Sequence, residues 1–102
     1  MVKKIFVSVG MRGREDVEVL KDLNRAIRIL SSVYPKQSFT VVDNWATKGP
    51  EDAGRLWYLG EAIKRLGDCE ACFFVKGWEN YKGCRIEMEV CKQYGIEILE
   101  ET

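Results

Sequence analysis

The sequence predicts an α/β fold of three layers: a four-stranded parallel sheet in strand order 2-1-3-4 with crossover helices, of the flavodoxin or Rossmann-like kind. Three observations predict it. Apolar, β-branched runs alternate with helical patterns in the order β-α-β-α-β-α-β, which requires a parallel sheet. Right-handed crossovers then put helix one on one face and helices two and three on the other. A chain of 102 residues, 46% apolar and 31% charged, is sized for one domain, residues 1–102, with a real core.

The elements follow in order. Ile5 to Val9 is a short apolar run and reads as the first strand. Leu20, Leu23, Ile27, Leu30 and Tyr34 then recur at three-four spacing, with Glu15 and Asp16 in the opening turn and Pro35 closing the helix. Phe39 to Val42 is the second strand. From about Glu51 a second helix carries Leu56, Leu59, Ile63 and Leu66 on one stripe and ends near Gly67. Ala71 to Val75 is the third strand. The third helix runs from about Cys84 to Tyr94 and stops at Gly95, and Ile96 to Leu99 is a weaker fourth strand.

Composition narrows the function. Sixteen basic and sixteen acidic residues cancel, so there is no broad positive field for a nucleic-acid backbone, and none is expected as partner. The N-terminal MVKKIFVSV has an apolar run too short for a signal peptide or a membrane span, so a cytoplasmic protein with no membrane partner is expected. The absence of histidine excludes Ser-His and Cys-His catalysis and leaves carboxylates, tyrosine, lysine or thiol for acid–base and nucleophilic work. Cys69 and Cys72 form a C-x-x-C, but the pair precedes a strand instead of opening a helix. Cys84 and Cys91 are spaced for a helix face, so the four thiols read as small core residues, with no metal and no cofactor expected.

Ligands in such sheets bind beyond the carboxyl ends of the strands where the strand order reverses, here between strands one and three. The two loops leaving those strands, VGMRGRED (9–16) and KGWENYKG (76–83), both carry glycines. Gly10 and Gly13 allow close backbone approach, and Arg12 adds a fork suited to phosphate or carboxylate. Ser8 and Met11 complete the first set of candidate ligand contacts. Short glycine turns also occur without a ligand, and that alternative carries equal weight. Gly77, Trp78 and Gly83 are the candidates in the other loop, although aromatics there also serve as packing anchors. Asp43 and Asn44, just past the second strand, suit hydrogen bonds to a base or ribose, or a simple turn cap.

Helical spacing sorts the acids. Glu89 has Arg85 four residues before it and Lys92 three after, the pattern of a solvated, salt-bridging face. Glu87 has Cys84 three before and Cys91 four after, so its neighbours are weakly polar, and it lies about one turn inside the helix where the dipole favours an anion. That suits a nucleophile better than a paired structural acid. Glu79 and Tyr81, in the loop, are the candidate helpers in catalysis.

The two loops resemble the nucleoside 2-deoxyribosyltransferase-like superfamily, and most closely a short bacterial and phage branch of unknown function within it. The motifs carrying the resemblance are strand-G-M-R-G-R-E-D and G-W-x-x-x-x-G-C-R-I-E. The first loop is also similar to that of 2'-deoxynucleoside 5'-phosphate N-hydrolases, where a glycine-rich turn with arginine holds the 5'-phosphate. The resemblance implies a glutamate nucleophile four residues after the loop glycine, which maps onto Gly83 and Glu87. It also implies homo-oligomers. Where characterised members have a tyrosine near the end of the first strand this chain has Phe6, and where they have an acid or serine six before the nucleophile it has Tyr81.

The expected function is therefore cleavage or transfer of the N-glycosidic bond of a nucleoside or nucleotide, with Glu87 as nucleophile. The alternatives are a non-catalytic nucleotide-binding module and a phage-associated interaction domain. A homo-oligomer, most simply a dimer, is expected because helix one alone faces strands three and four on its side of the sheet.

Overall fold

A computed structural model describes residues 2–43 and 48–102. Asn44, one of the candidate ligand contacts, lies outside the described residues. The elements are β1 (Lys3–Ser8), α1 (Asp16–Val33), β2 (Phe39–Val42), α2 (Arg55–Gly67), β3 (Ala71–Phe74), α3 (Lys82–Tyr94) and β4 (Glu97–Glu100), with single 3-10 turns at Lys36–Ser38 and Trp78–Asn80. The strands form one parallel sheet in the order β2-β1-β3-β4, as the crossover rule requires.

Both faces of the sheet are covered, and the two-residue period of a strand assigns each side chain to a face. Ile5, Val7 and Val9 join Ala71, Phe73 and Val75 against Val19, Leu23, Ala26 and Leu30 of α1. Phe6, Cys72 and Phe74 point the other way, into Ala62 and Leu66 of α2 and Met88 and Cys91 of α3. The four cysteines are free and buried. Burial pushes the thiols of Cys69 and Cys84 up to about 11, so they act as small apolar groups.

Three details differ from the sequence expectation. On α1 the buried stripe is Val19, Leu23, Ala26 and Leu30, while Leu20 and Ile27 are each 39% exposed. Two adjoining stripes both satisfy helical spacing, and the one containing the small Ala26 allows the helix close to the sheet. The second helix begins at Arg55, not Glu51. Pro50 opens a turn in which the Ala53 N–H donates to its carbonyl at 2.9 Å, and the extended Gly54 separates that turn from the helix. On the sheet face covered by α1, Phe73 and Val75 of the third strand are 3% exposed, so the apolar surface expected to lie open there is confined to the fourth strand, where Leu99 is partly buried.

At the carboxyl edge, Glu101 ties three segments together. Its carboxylate accepts from Arg25 of α1 at 2.6 and 3.0 Å and from the Lys76 N–H at 2.8 Å. The exit of β3 is thereby anchored to α1. No described helix is long and apolar enough to cross a membrane.

Candidate functional site

Strand parity builds the centre of the site. Since Ile5, Val7 and Val9 face α1, Ser8 must face α3, where Glu87 projects from the second turn. The Ser8 hydroxyl donates to Glu87 Oε1 at 2.6 Å across 79 residues of sequence. Ser8 is 1% exposed and Glu87 6%, the two polar side chains among the described buried residues. Burial raises the Glu87 carboxyl to about 7, and the Ser8 hydrogen bond opposes part of that rise. Among the described residues Glu87 Oε2 has no hydrogen-bond donor, and no fully buried side-chain nitrogen or oxygen there lacks a partner, so this oxygen borders open space.

That space is a cleft of about 980 Å³ at the carboxyl edge of β1. Glu87 and Ser8 lie at its floor with Phe6, and the first loop, α2 and α3 form its walls. Cys84, the nearest thiol along α3, is neutral at physiological pH, which leaves the carboxylate as the ionisable nucleophile of the floor.

The first loop is shaped by two glycines with different tasks. Gly13 takes φ +74 as the third residue of a turn in which the Arg14 N–H donates to the Met11 carbonyl at 3.2 Å, a position that favours glycine. Gly10 is buried under the ring of Tyr81, and a Cβ there would fall 2.2 Å from Tyr81 Cδ2. Its missing side chain makes room for a protein ring, while the residue itself still lines the cleft with Gly13. Met11 is half-buried beneath the loop, and both it and Arg12 line the cleft.

The arginine that braces the loop is Arg14, which the sequence reasoning passed over. Its Nη1 donates to the Gly10 carbonyl at 2.9 Å and pairs with Asp22 at 2.7 Å. Arg12 is exposed at the cleft wall and has no ion-pair partner among the described residues. The signal for this division was the spacing of Arg14 from Glu18 and Asp22, four and eight residues on along α1.

The loop after β3 divides differently from expectation. Tyr81 and Gly83 line the cleft. Gly77, Trp78 and Glu79 are not among the described lining residues. Gly77 takes φ +92 in a turn where the Trp78 N–H donates to the Val75 carbonyl at 3.0 Å, so its glycine answers a backbone requirement. Trp78 packs on Phe74 with ring centroids 5.4 Å apart and anchors the loop. Glu79 is exposed, and its carbonyl accepts from Arg85 at 2.6 Å. Asp43 sits at the end of β2 with its carbonyl accepting from Arg65 at 3.0 Å, and it too is absent from the lining. Glu89 is exposed as expected, but its recorded partner is Gln93 at 3.0 Å in place of Arg85 or Lys92. The polar lining residues that sequence reasoning missed are Tyr58, Asn80 and three cations, Arg55, Lys82 and Arg85.

No protein-family model, no curated protein and no solved structure matches this chain.

Proposed function

We propose that the protein cleaves or transfers the N-glycosidic bond of a nucleoside or nucleotide, with Glu87 as nucleophile. The observation that carries the proposal is a buried carboxylate, oriented by Ser8, with one oxygen open to the floor of a large cleft. In the reaction Glu87 Oε2 attacks the anomeric carbon of the sugar. The carbon–nitrogen bond breaks, its electron pair leaves with the base, and the base takes a proton from the Tyr81 hydroxyl or from water. The glycosyl ester on Glu87 is then opened by water, giving hydrolysis, or by a second base, giving transfer. A close anion is what the oxocarbenium-like centre needs in both steps.

The remaining parts have stated roles. Ser8 holds the carboxylate in one orientation and favours its charged form against burial. Arg12, exposed at the cleft wall, binds the phosphate or the ribose edge. Glu79 has no part, because its residue does not line the cleft. The test is incubation with a panel of deoxynucleosides and their monophosphates while free base is monitored. Base should appear with wild type and not with Glu87→Ala, and a panel that releases no base sinks the proposal.

One observation favours a second reading. Glu87 is the one carboxylate among the described lining residues, so no second acid stands ready to protonate the leaving base. A non-catalytic nucleotide-binding module would keep this cleft, and its melting temperature would rise with nucleotide while no base appeared.

A further inference from the structure

The chain's charges cancel in total, but not in space. Arg12 from the first loop, Arg55 at the start of α2, and Lys82 and Arg85 at the start of α3 all line this cleft, and Glu87 is the one acid among its described lining residues. None of the four pairs with a carboxylate among the described residues, so no salt bridge there neutralises them. Arg85 uses one donor on the Glu79 carbonyl and keeps the rest of its fork.

Two of these cations sit where helix electrostatics disfavours them. The N-terminal end of a helix carries partial positive charge and prefers acids. Helix α1 obeys, with Asp16 and Glu18 in its first turn, while α2 and α3 have no acid there and open on Arg55 and Lys82. A local rule broken twice at the rim of one crevice is expected where function requires it.

We infer that the ligand of this cleft carries more than one phosphate group: it is a nucleoside diphosphate or triphosphate. The inference rests on the proposed glycosidic chemistry only in placing the sugar over Glu87. A single phosphate carries about −1.5 to −2 charge at neutral pH and is matched by two cations. The other two would be left without an anion, whereas a chain of phosphates satisfies all four. Ligand pockets run to about 1,000 Å³, and at about 980 Å³ the cleft has room for a nucleotide with such a chain. Leu56 and Ile86, exposed at 80% and 41% on the same walls, supply apolar surface for a base.

Calorimetric titration of the full chain with deoxynucleosides and their mono-, di- and triphosphates at fixed salt tests this. Affinity should rise about tenfold per added phosphate, the worth of one charge-assisted hydrogen bond. Inorganic triphosphate should compete. Arg55→Gln and Lys82→Gln should each flatten the step from mono- to triphosphate and leave the unphosphorylated nucleoside unchanged. Lys92→Gln, an exposed lysine of α3 outside the cleft lining, should change nothing. The substituted side chains are exposed, and an unchanged melting curve confirms that each variant folds. Equal affinity across the series overturns the inference, and so does a short oligonucleotide that binds tighter than the triphosphates. Free base measured in the same samples separates the two proposals. Graded binding without base release keeps the polyphosphate ligand and removes the glycosidic reaction. Base released from monophosphates with flat binding does the reverse.

Discussion

Replacing Glu87 by glutamine should change how stability depends on pH, with a sign opposite to that of most carboxylates. The Glu87 carboxyl is raised from 4.5 to about 7, first because burial disfavours its charge. Between those two values the folded state holds a proton that the unfolded chain has released. The carboxyl's contribution is therefore fully present below 4.5, declines as pH rises, and is lost once pH passes about 7. At 1.36 kcal/mol per pKa unit, the wild type should lose about 3 kcal/mol relative to Glu87→Gln across that window. Glu101, held below its usual range by Arg25, pulls the other way by losing its contribution in acid, but it is common to both proteins and cancels in the difference. Urea unfolding of both at half-unit intervals from pH 4 to 8 measures that difference. Glutamine is nearly isosteric and can still accept from Ser8, so the comparison isolates the charge. A difference that stays flat, or that favours the wild type as pH rises, would refute the burial of this carboxylate.

Three further outcomes follow from the same geometry. Ser8→Ala removes the donor to Glu87, so the midpoint of that pH transition should move above 7, and stability at pH 8 should fall by about 1–3 kcal/mol; an unmoved midpoint would mean that the hydrogen bond does not set it. Gly10→Ala places a methyl 2.2 Å from the Tyr81 ring and should cost about 1–3 kcal/mol with a changed near-UV tyrosine signal, whereas Gly13→Ala meets no atom within 4 Å and should cost only the strain of its positive φ; equal behaviour of the two in thermal melts would remove the Tyr81 packing role. Arg12→Ala should weaken phosphorylated ligands at least tenfold more than unphosphorylated ones, since the lost contact is charge-assisted, and equal weakening in the same titrations would mean that Arg12 orders the loop.

What the sequence made legible was what local periodicity carries. The two-residue alternation of KIFVSV already implies that Phe6 and Ser8 share a face opposite Ile5 and Val7, and the crossover rule puts β1 beside β3. Glu87 stood out because its helical neighbours Cys84 and Cys91 predict a buried stripe, and all three are buried. Features that depend on how distant segments meet were not legible. The closeness of Tyr81 to Gly10 fixes why that glycine is needed, and it joins loops 71 residues apart. Arg14 and Arg12 look alike in the motif, and only the helix register that puts Asp22 within 2.7 Å of Arg14 separates brace from cleft wall. Helix-start cations such as Arg55 and Lys82 read as surface until the parallel topology brings both helix openings to one edge.

The proposed reaction passes through a covalent bond between sugar and Glu87, which mass spectrometry of the quenched protein detects. Wild type should be incubated with deoxynucleosides and their mono-, di- and triphosphates, quenched in acid, and compared with Glu87→Gln. The expected result is an intact-mass increase equal to the sugar, phosphorylated or not, mapped by proteolysis to the peptide containing Glu87, with free base in step and neither in the variant. Base released equally by both proteins, or an adduct mapped to any other residue, would exclude Glu87 as the nucleophile.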